Sequence, residues 1–281
     1  MRPFYKHWIE PGEGNINRTL EPTYDCHVSG MGGYQIDESY AEKEQFIAKW
    51  FNGRYINYDA FIRKHVKKNG SILSIASGRA INELQLIADG FDVTCSDLER
   101  PVCYEDSIRL FGEYEYIESD ILNEMPIKQY KVIICIGLVC CFSEKEMRVA
   151  LNNMNRILEN GGILVLELSV SPDNLLSYLL HDIWLRYETL MLPYYYNIKG
   201  EKFKRVRELH GYRYKTKEVT GMLESEGFDV FDYFYCEPLL EFQRSRIIGT
   251  LMERIRCLEP VFSAIGKNIP YSRLFAARKM L

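Results

Sequence analysis

Along the middle of the chain, short apolar runs alternate with segments of helical period. Ser71–Ala76 is apolar, rich in β-branched residues and bounded by Gly70, so it reads as a buried parallel strand. Ile81, Leu84, Ile87 and Ala88 recur at helical spacing and predict a helix over Ile81–Ala88, closed by Gly90. Phe91–Ser96 is a second strand; a helix then opens at Pro101 and reaches Phe111, and Tyr114–Ile117 is a short strand. Tyr130–Ile136 is apolar but for Lys131 and reads as a strand. Ser143 and Glu146 form a capping box, which opens a helix to about Leu158 with Met147, Ala150, Leu151, Met154 and Leu158 on one face. Asn160-Gly161-Gly162 ends that helix, and the run 163–168 is the next strand. Alternation of this kind predicts a right-handed parallel α/β sheet.

The flanks are less regular. Residues 1–37 are rich in Pro, Gly, Asn and aromatics and show no sustained period, so they read as an irregular arm, with Tyr34 a candidate to stack on a ligand. Helices are expected from Asp37 to about Phe51 and from Arg54 to about Lys68. After the strand 163–168, Ser171-Pro172 starts a helix to about Leu192, and Pro193 stops it. Tyr194–Lys217 interleaves tyrosines with Lys199, Lys202, Lys204, Arg205, Arg207 and Arg213. It reads either as a basic aromatic lid for an anionic or sugar-linked substrate or as an ordinary exposed hairpin. Thr216 is the expected cap of a helix through Glu226, Asp229–Tyr235 is a strand, Pro238–Phe262 reads mainly helical, and Tyr271–Lys279 is a last strand.

Composition narrows the class. The 281 residues allow one large domain or two small ones, and an apolar fraction of 47% with 26% charged residues is that of a soluble globular protein. The net charge of −4 argues against nucleic acid as an obligatory partner, and no apolar run is long enough to span a bilayer. The first residues lack a signal-peptide core, and eight cysteines without a C-x-x-C pair fit a reducing cytosol, so a cytoplasmic location is expected. Cys140-Cys141 has no accompanying Cys/His cluster, and no metal site is expected.

The chemistry gathers between Gly70 and Glu99: strand, small-residue bend Ser77–Ala80, helix, strand, acid. Such a bend lets backbone approach a ligand closely, and a carboxylate at the end of the next strand can receive two ribose hydroxyls. Asp97 follows Gly78 by nineteen positions, near the spacing of adenosine-binding folds. A dinucleotide-dependent oxidoreductase is disfavoured, because Ala80 and Glu83 stand where G-x-G-x-x-G has its second and third glycines.

The segment ILSIASGRA resembles the first motif of class I S-adenosylmethionine-dependent methyltransferases, an acid followed by x-G-x-G-x-G. Ser74 stands at the acid, and Ala76, Gly78 and Ala80 stand at the three glycines. The segment VTCSDLE is similar to the end of that family's second strand, with Asp97 at the ribose-binding acid. The resemblance implies a Rossmann-like, mostly parallel seven-stranded sheet of order 3-2-1-4-5-7-6 with helices on both faces, an N-terminal helical arm (1–69), a cofactor-binding domain (70–281), and lid insertions at about 172–215 and 238–265. It implies S-adenosyl-L-methionine as cofactor, held by Ser74, Ala76, Gly78, Asp97, Leu98, Asp120, Ile121 and Ile136, with Asp120 on the adenine amino group. O- or N-methylation of a small metabolite is then the expected function. His181 and His210 fall where a substrate-facing base would be, and the late helix suits a homodimer. The alternative is a fold-retaining binding protein without activity, since Ser74, Ala76 and Ala80 depart from the motif.

Overall fold

The computed structural model describes residues 2–5, 54–101, 103–123, 128–139, 142–169, 173, 210–236 and 272–280. In chain order these form β1 (Arg2–Tyr5), α1 (Arg54–His65), β2 (Ile72–Ile75), α2 (Leu84–Ala88), β3 (Val93–Asp97), α3 (Tyr104–Phe111) and β4 (Glu115–Glu118). Then follow β5 (Tyr130–Cys135), α4 (Glu144–Ile157), β6 (Leu158–Ser169), β7 (His210–Arg213), α5 (Thr216–Ser225), β8 (Phe228–Cys236) and β9 (Ser272–Lys279).

Seven strands make one sheet in the order β4-β3-β2-β5-β6-β9-β8. Numbered from the sheet's own first strand, this is the expected 3-2-1-4-5-7-6. The first five pair in parallel, and β9 inserts antiparallel between β6 and β8. Both faces of the central strands are covered, which is why β2, β3 and β5 are buried almost throughout. Leu73, Ile133 and Leu166 pack towards Met147, Leu151 and Met154 of α4 and Leu223 of α5. Ile72, Val132 and Val165 lie in the opposite core with Tyr58 and Ile62 of α1 and Leu86 of α2.

The capping box forms as read: Ser143 N–H and hydroxyl both donate to the Glu146 carboxylate, and Glu146 N–H returns to Ser143. Three expectations change. The helix after the bend begins at Leu84 rather than Ile81; residues 81–83 continue the turn that follows the left-handed Ala80 (φ +57°). Residues 159–162 belong to β6 as an irregularity in its pairing with β5, so Asn160-Gly161-Gly162 does not precede the strand but lies within it. Thr216 is the first residue of α5, not its cap; its N–H is received by the Asp173 carboxylate at 2.8 Å, and Asp173 also contacts the Thr216 hydroxyl and Arg273.

A separate two-stranded sheet was not foreseen. β1 pairs antiparallel with β7, Tyr5 opposite His210 and Arg2 opposite Arg213. The start of the chain thus lies alongside the end of the basic aromatic stretch. The helix expected over Asp37–Phe51, most of both insertions, Cys140 and Cys141 lie outside the described residues.

Candidate cofactor site

Parallel strands point their carboxyl ends one way, and in open α/β sheets ligands bind there. The bend after β2 comes first. Ala76, Gly78 and Ala80 all have positive φ, +56°, +53° and +57°. Each alternate residue thus takes the conformation for which glycine is the natural choice, and in two of the three an alanine bears the strain. Hydrogen bonds hold the bend in place. Ser77 N–H donates to Ser96 C=O at 3.0 Å, Ala80 N–H to Ser77 C=O at 2.8 Å, and both Glu83 and Leu84 N–H to Ala80 C=O.

Asp97 closes the bend from β3. Its Oδ2 accepts Gly78 N–H at 2.8 Å, and its Oδ1 accepts Leu98 N–H at 2.8 Å. Burial raises the pKa of this carboxyl, and the two N–H donors oppose the shift. The bend and the acid are therefore one unit in contact, with one lone pair of each oxygen left for further donors. A β-carbon on Gly78 would stand 4.0 Å from Asp97 Oδ2, on this same small surface.

The neighbouring strand completes the floor. The Tyr116 hydroxyl reaches both Gly78 C=O (3.1 Å) and Glu99 C=O (3.2 Å), sharing its proton between them. Ser119 N–H donates to Asp97 C=O at 2.9 Å, and the Ser96 and Ser119 hydroxyls meet at 2.9 Å. Asp120 uses its carboxylate locally, on Leu122 N–H (2.9 Å) and Asn123 Nδ2 (2.8 Å). Ile121 is buried, and its C=O accepts Asn153 Nδ2 of α4 at 2.6 Å.

Beyond β5, Ile136 is half-buried and Gly137 turns with φ +83°. Gly137 N–H donates 2.7 Å to Oε2 of Glu167, a buried acid on β6. The other oxygen of Glu167 accepts the Tyr58 hydroxyl of α1 at 2.7 Å, and that hydroxyl also meets Ser272 Oγ of β9 at 2.5 Å. Three elements, β6, α1 and β9, are thus tied to the loop that follows β5.

Of the residues singled out from sequence, Ala76, Gly78, Asp97, Leu98, Asp120, Ile121 and Ile136 lie on the bend or the strand-end loops along this edge. Ser74 is different: it is buried in β2, and its hydroxyl donates 2.6 Å to Glu83 Oε1. Burial pushes the Glu83 carboxyl up to about 7. His181 lies outside the described residues, and His210 opens β7, where its backbone pairs with Tyr5. Sequence reasoning missed Glu83, Tyr116, Glu167 and Tyr58. Only Glu167 carried a signal, a lone acid within a run of buried aliphatics. Among the described residues no group of three or more His, Cys, Asp or Glu could hold a metal ion, and no helix is long and apolar enough to cross a membrane.

Comparison with known proteins agrees with this geometry. Residues 73–166 match the family described as a methyltransferase domain. The glycine/sarcosine N-methyltransferase of Parasynechococcus marenigrum (strain WH8102) is 25% identical over 144 residues, covering 46% of this chain and 49% of that enzyme. The chain thus matches about half the length of that curated relative. The 1,6-didemethyltoxoflavin-N1-methyltransferase of Burkholderia thailandensis, solved with 1,6-didemethyltoxoflavin and S-adenosylhomocysteine, is similar with a TM-score of 0.59 at 11% identity, over 100% of this chain and 96% of that one. The magnesium protoporphyrin IX methyltransferase of Synechocystis PCC 6803, solved with S-adenosylhomocysteine, has a TM-score of 0.52 at 12% identity, over 94% and 97%. At these identities the structures establish the fold. Residues 73–166 are thus similar to a methyltransferase domain, and the strand order is that of the Rossmann-like methyltransferase fold.

Proposed function

We propose that the protein transfers a methyl group from S-adenosyl-L-methionine to a nitrogen or oxygen of a small metabolite. The observation that carries this reading is the contact between Asp97 and Gly78 at the end of a triply left-handed bend. It leaves a low-profile backbone surface beside a carboxylate with unused lone pairs, which suits a ribose against a bend without side-chain bulk. Asp97 and Leu98 would hold the ribose. Asp120 and Ile121 would border the adenine, and Ser74, Ala76, Gly78 and Ile136 would lie towards the amino-acid end. The cofactor supplies the electrophilic methyl carbon; the chain supplies alignment and a dry surface.

A nitrogen acceptor is favoured by the curated relative, whose name makes it an N-methyltransferase. A neutral amine needs no general base, whereas a hydroxyl benefits from one. His181 and His210 are the bases this reading offers for a hydroxyl or ammonium substrate, in the region that follows the fifth strand of the main sheet. The arm 1–69 and the insertions at about 172–215 and 238–265 would form the cover of the substrate space, and the last could pair two copies.

The inactive-scaffold alternative rests on Ser74, Ala76 and Ala80 at motif positions. The bend forms with both alanines in place, so of the three only Ser74 still speaks for that alternative. The test is calorimetric titration of the full chain with S-adenosylhomocysteine, followed by release of that product from S-adenosylmethionine across panels of amines and of hydroxy compounds. Binding with turnover of one panel is expected. Absence of binding would overturn the reading, and binding without turnover of either panel would return the scaffold alternative.

A further inference from the structure

Glu83 stands at the start of α2, 1% exposed, beneath the bend. Its Oε1 takes the Ser74 hydroxyl at 2.6 Å, while its Oε2, also buried, has no hydrogen-bond partner of acceptable geometry. No ion pair holds it among the described residues. From β2 it faces the Ser74 hydroxyl and from β3 the buried Cys95 thiol, with Asp97 further along the same strand. Arg79, in the bend itself, acts on Cys103 instead.

A buried carboxylate met only by one hydroxyl and the neighbouring N–H groups of Asn82 and Glu83, with no cation beside it among the described residues, is costly, and a glutamine of the same shape would remove most of that cost. Retaining the charge makes physical sense where a cation arrives to meet it. Resting on the proposed function, we propose that Glu83 supplies from beneath the bend the negative charge that draws the cofactor's ammonium group to its place, with Ser74 as the residue that aims it. The acid of the motif is then present but transposed: the carboxylate comes from position 83 and meets position 74 by a hydrogen bond. In the low dielectric beneath the bend this charge acts over a longer range than it would at the surface.

The role separates from mere packing by ligand choice. Adenosylhomocysteine carries the ammonium; 5′-methylthioadenosine keeps the nucleoside and lacks the amino-acid end. Calorimetry on the full chain should show Glu83→Gln weakening adenosylhomocysteine about tenfold while methylthioadenosine stays within about twofold. The melting temperature of that variant should not fall. Ser74→Asp combined with Glu83→Gln rebuilds the same pair with donor and acceptor exchanged, and should restore most of the lost affinity. Should Glu83→Gln not fold, Ser74→Ala, which leaves the carboxylate unaimed, is read in the same two titrations for the same selective loss. Equal weakening of both ligands, or no change in either, would overturn the inference while leaving the cofactor reading intact. Failure of the wild type to bind either ligand would overturn that reading itself, and this inference with it.

Discussion

Asp97 Oδ2 accepts the backbone N–H of Gly78 at 2.8 Å, so the acid at the end of β3 and the bend after β2 form a single rigid corner. The bond explains why the bend keeps its shape although two of its three left-handed residues are alanines. Left-handed conformation costs an L-residue on the order of 1–2 kcal/mol, and glycine avoids it. Replacing Ala76 or Ala80 by Gly also loosens the unfolded chain, which returns about 0.4–1 kcal/mol of that gain. Each substitution should therefore raise stability in urea denaturation by up to about 1 kcal/mol. A loss of stability in both variants would mean that neither alanine is strained.

A second corner lies at the end of β5, where Glu167 joins Gly137, Tyr58 and, through Tyr58, Ser272. Tyr58→Phe removes one donor and leaves a buried carboxylate oxygen with less than its share. Stability should fall by about 1–3 kcal/mol, and cofactor affinity should fall with it because the Gly137 loop loosens. Glu167→Leu should be worse than Tyr58→Phe, since it strips the Gly137 N–H and the Tyr58 hydroxyl together. If both variants melt with the wild type, the network is not structural.

Stability should depend on pH through Glu83. Burial moves its carboxyl from the ordinary 4.5 up to about 7. Between those values the folded chain holds a proton that the unfolded chain has released. The group's contribution is therefore intact below the lower value and is lost as pH rises through the upper one. The loss from this residue is on the order of 3 kcal/mol between pH 4.5 and 8. Urea titrations of ligand-free protein at pH 5 and pH 8 should show the wild type losing more stability than Glu83→Gln. An identical loss in the two proteins would contradict the assignment.

Much of the main sheet could be read before the structure because its central strands are buried on both faces and bounded by Gly, Pro or caps. Ser143 with Glu146, Gly70 before β2, and Asp97 at the end of β3 each carried a local signal. What escaped depends on contacts distant in the chain. Nothing near Glu83 says that it turns back to Ser74; at helical spacing it passes for a polar residue on a solvated face. The left-handed backbone of Ala80, just before the turn at 81–83, is imposed by the bend and not by alanine's own preference, so nothing local signals where α2 starts. Pairing of β1 with β7 joins residues more than two hundred positions apart, and each strand alone is four residues long, too short to show a period.

Titration of the wild type and of Asp97→Ala with S-adenosylhomocysteine and with methylthioadenosine tests the corner most directly. Ribose contacts are common to both ligands, so removing the carboxylate should weaken each at least about tenfold. Unchanged affinity for both ligands in Asp97→Ala would place the nucleoside somewhere other than between the bend and β3, and would contradict the account.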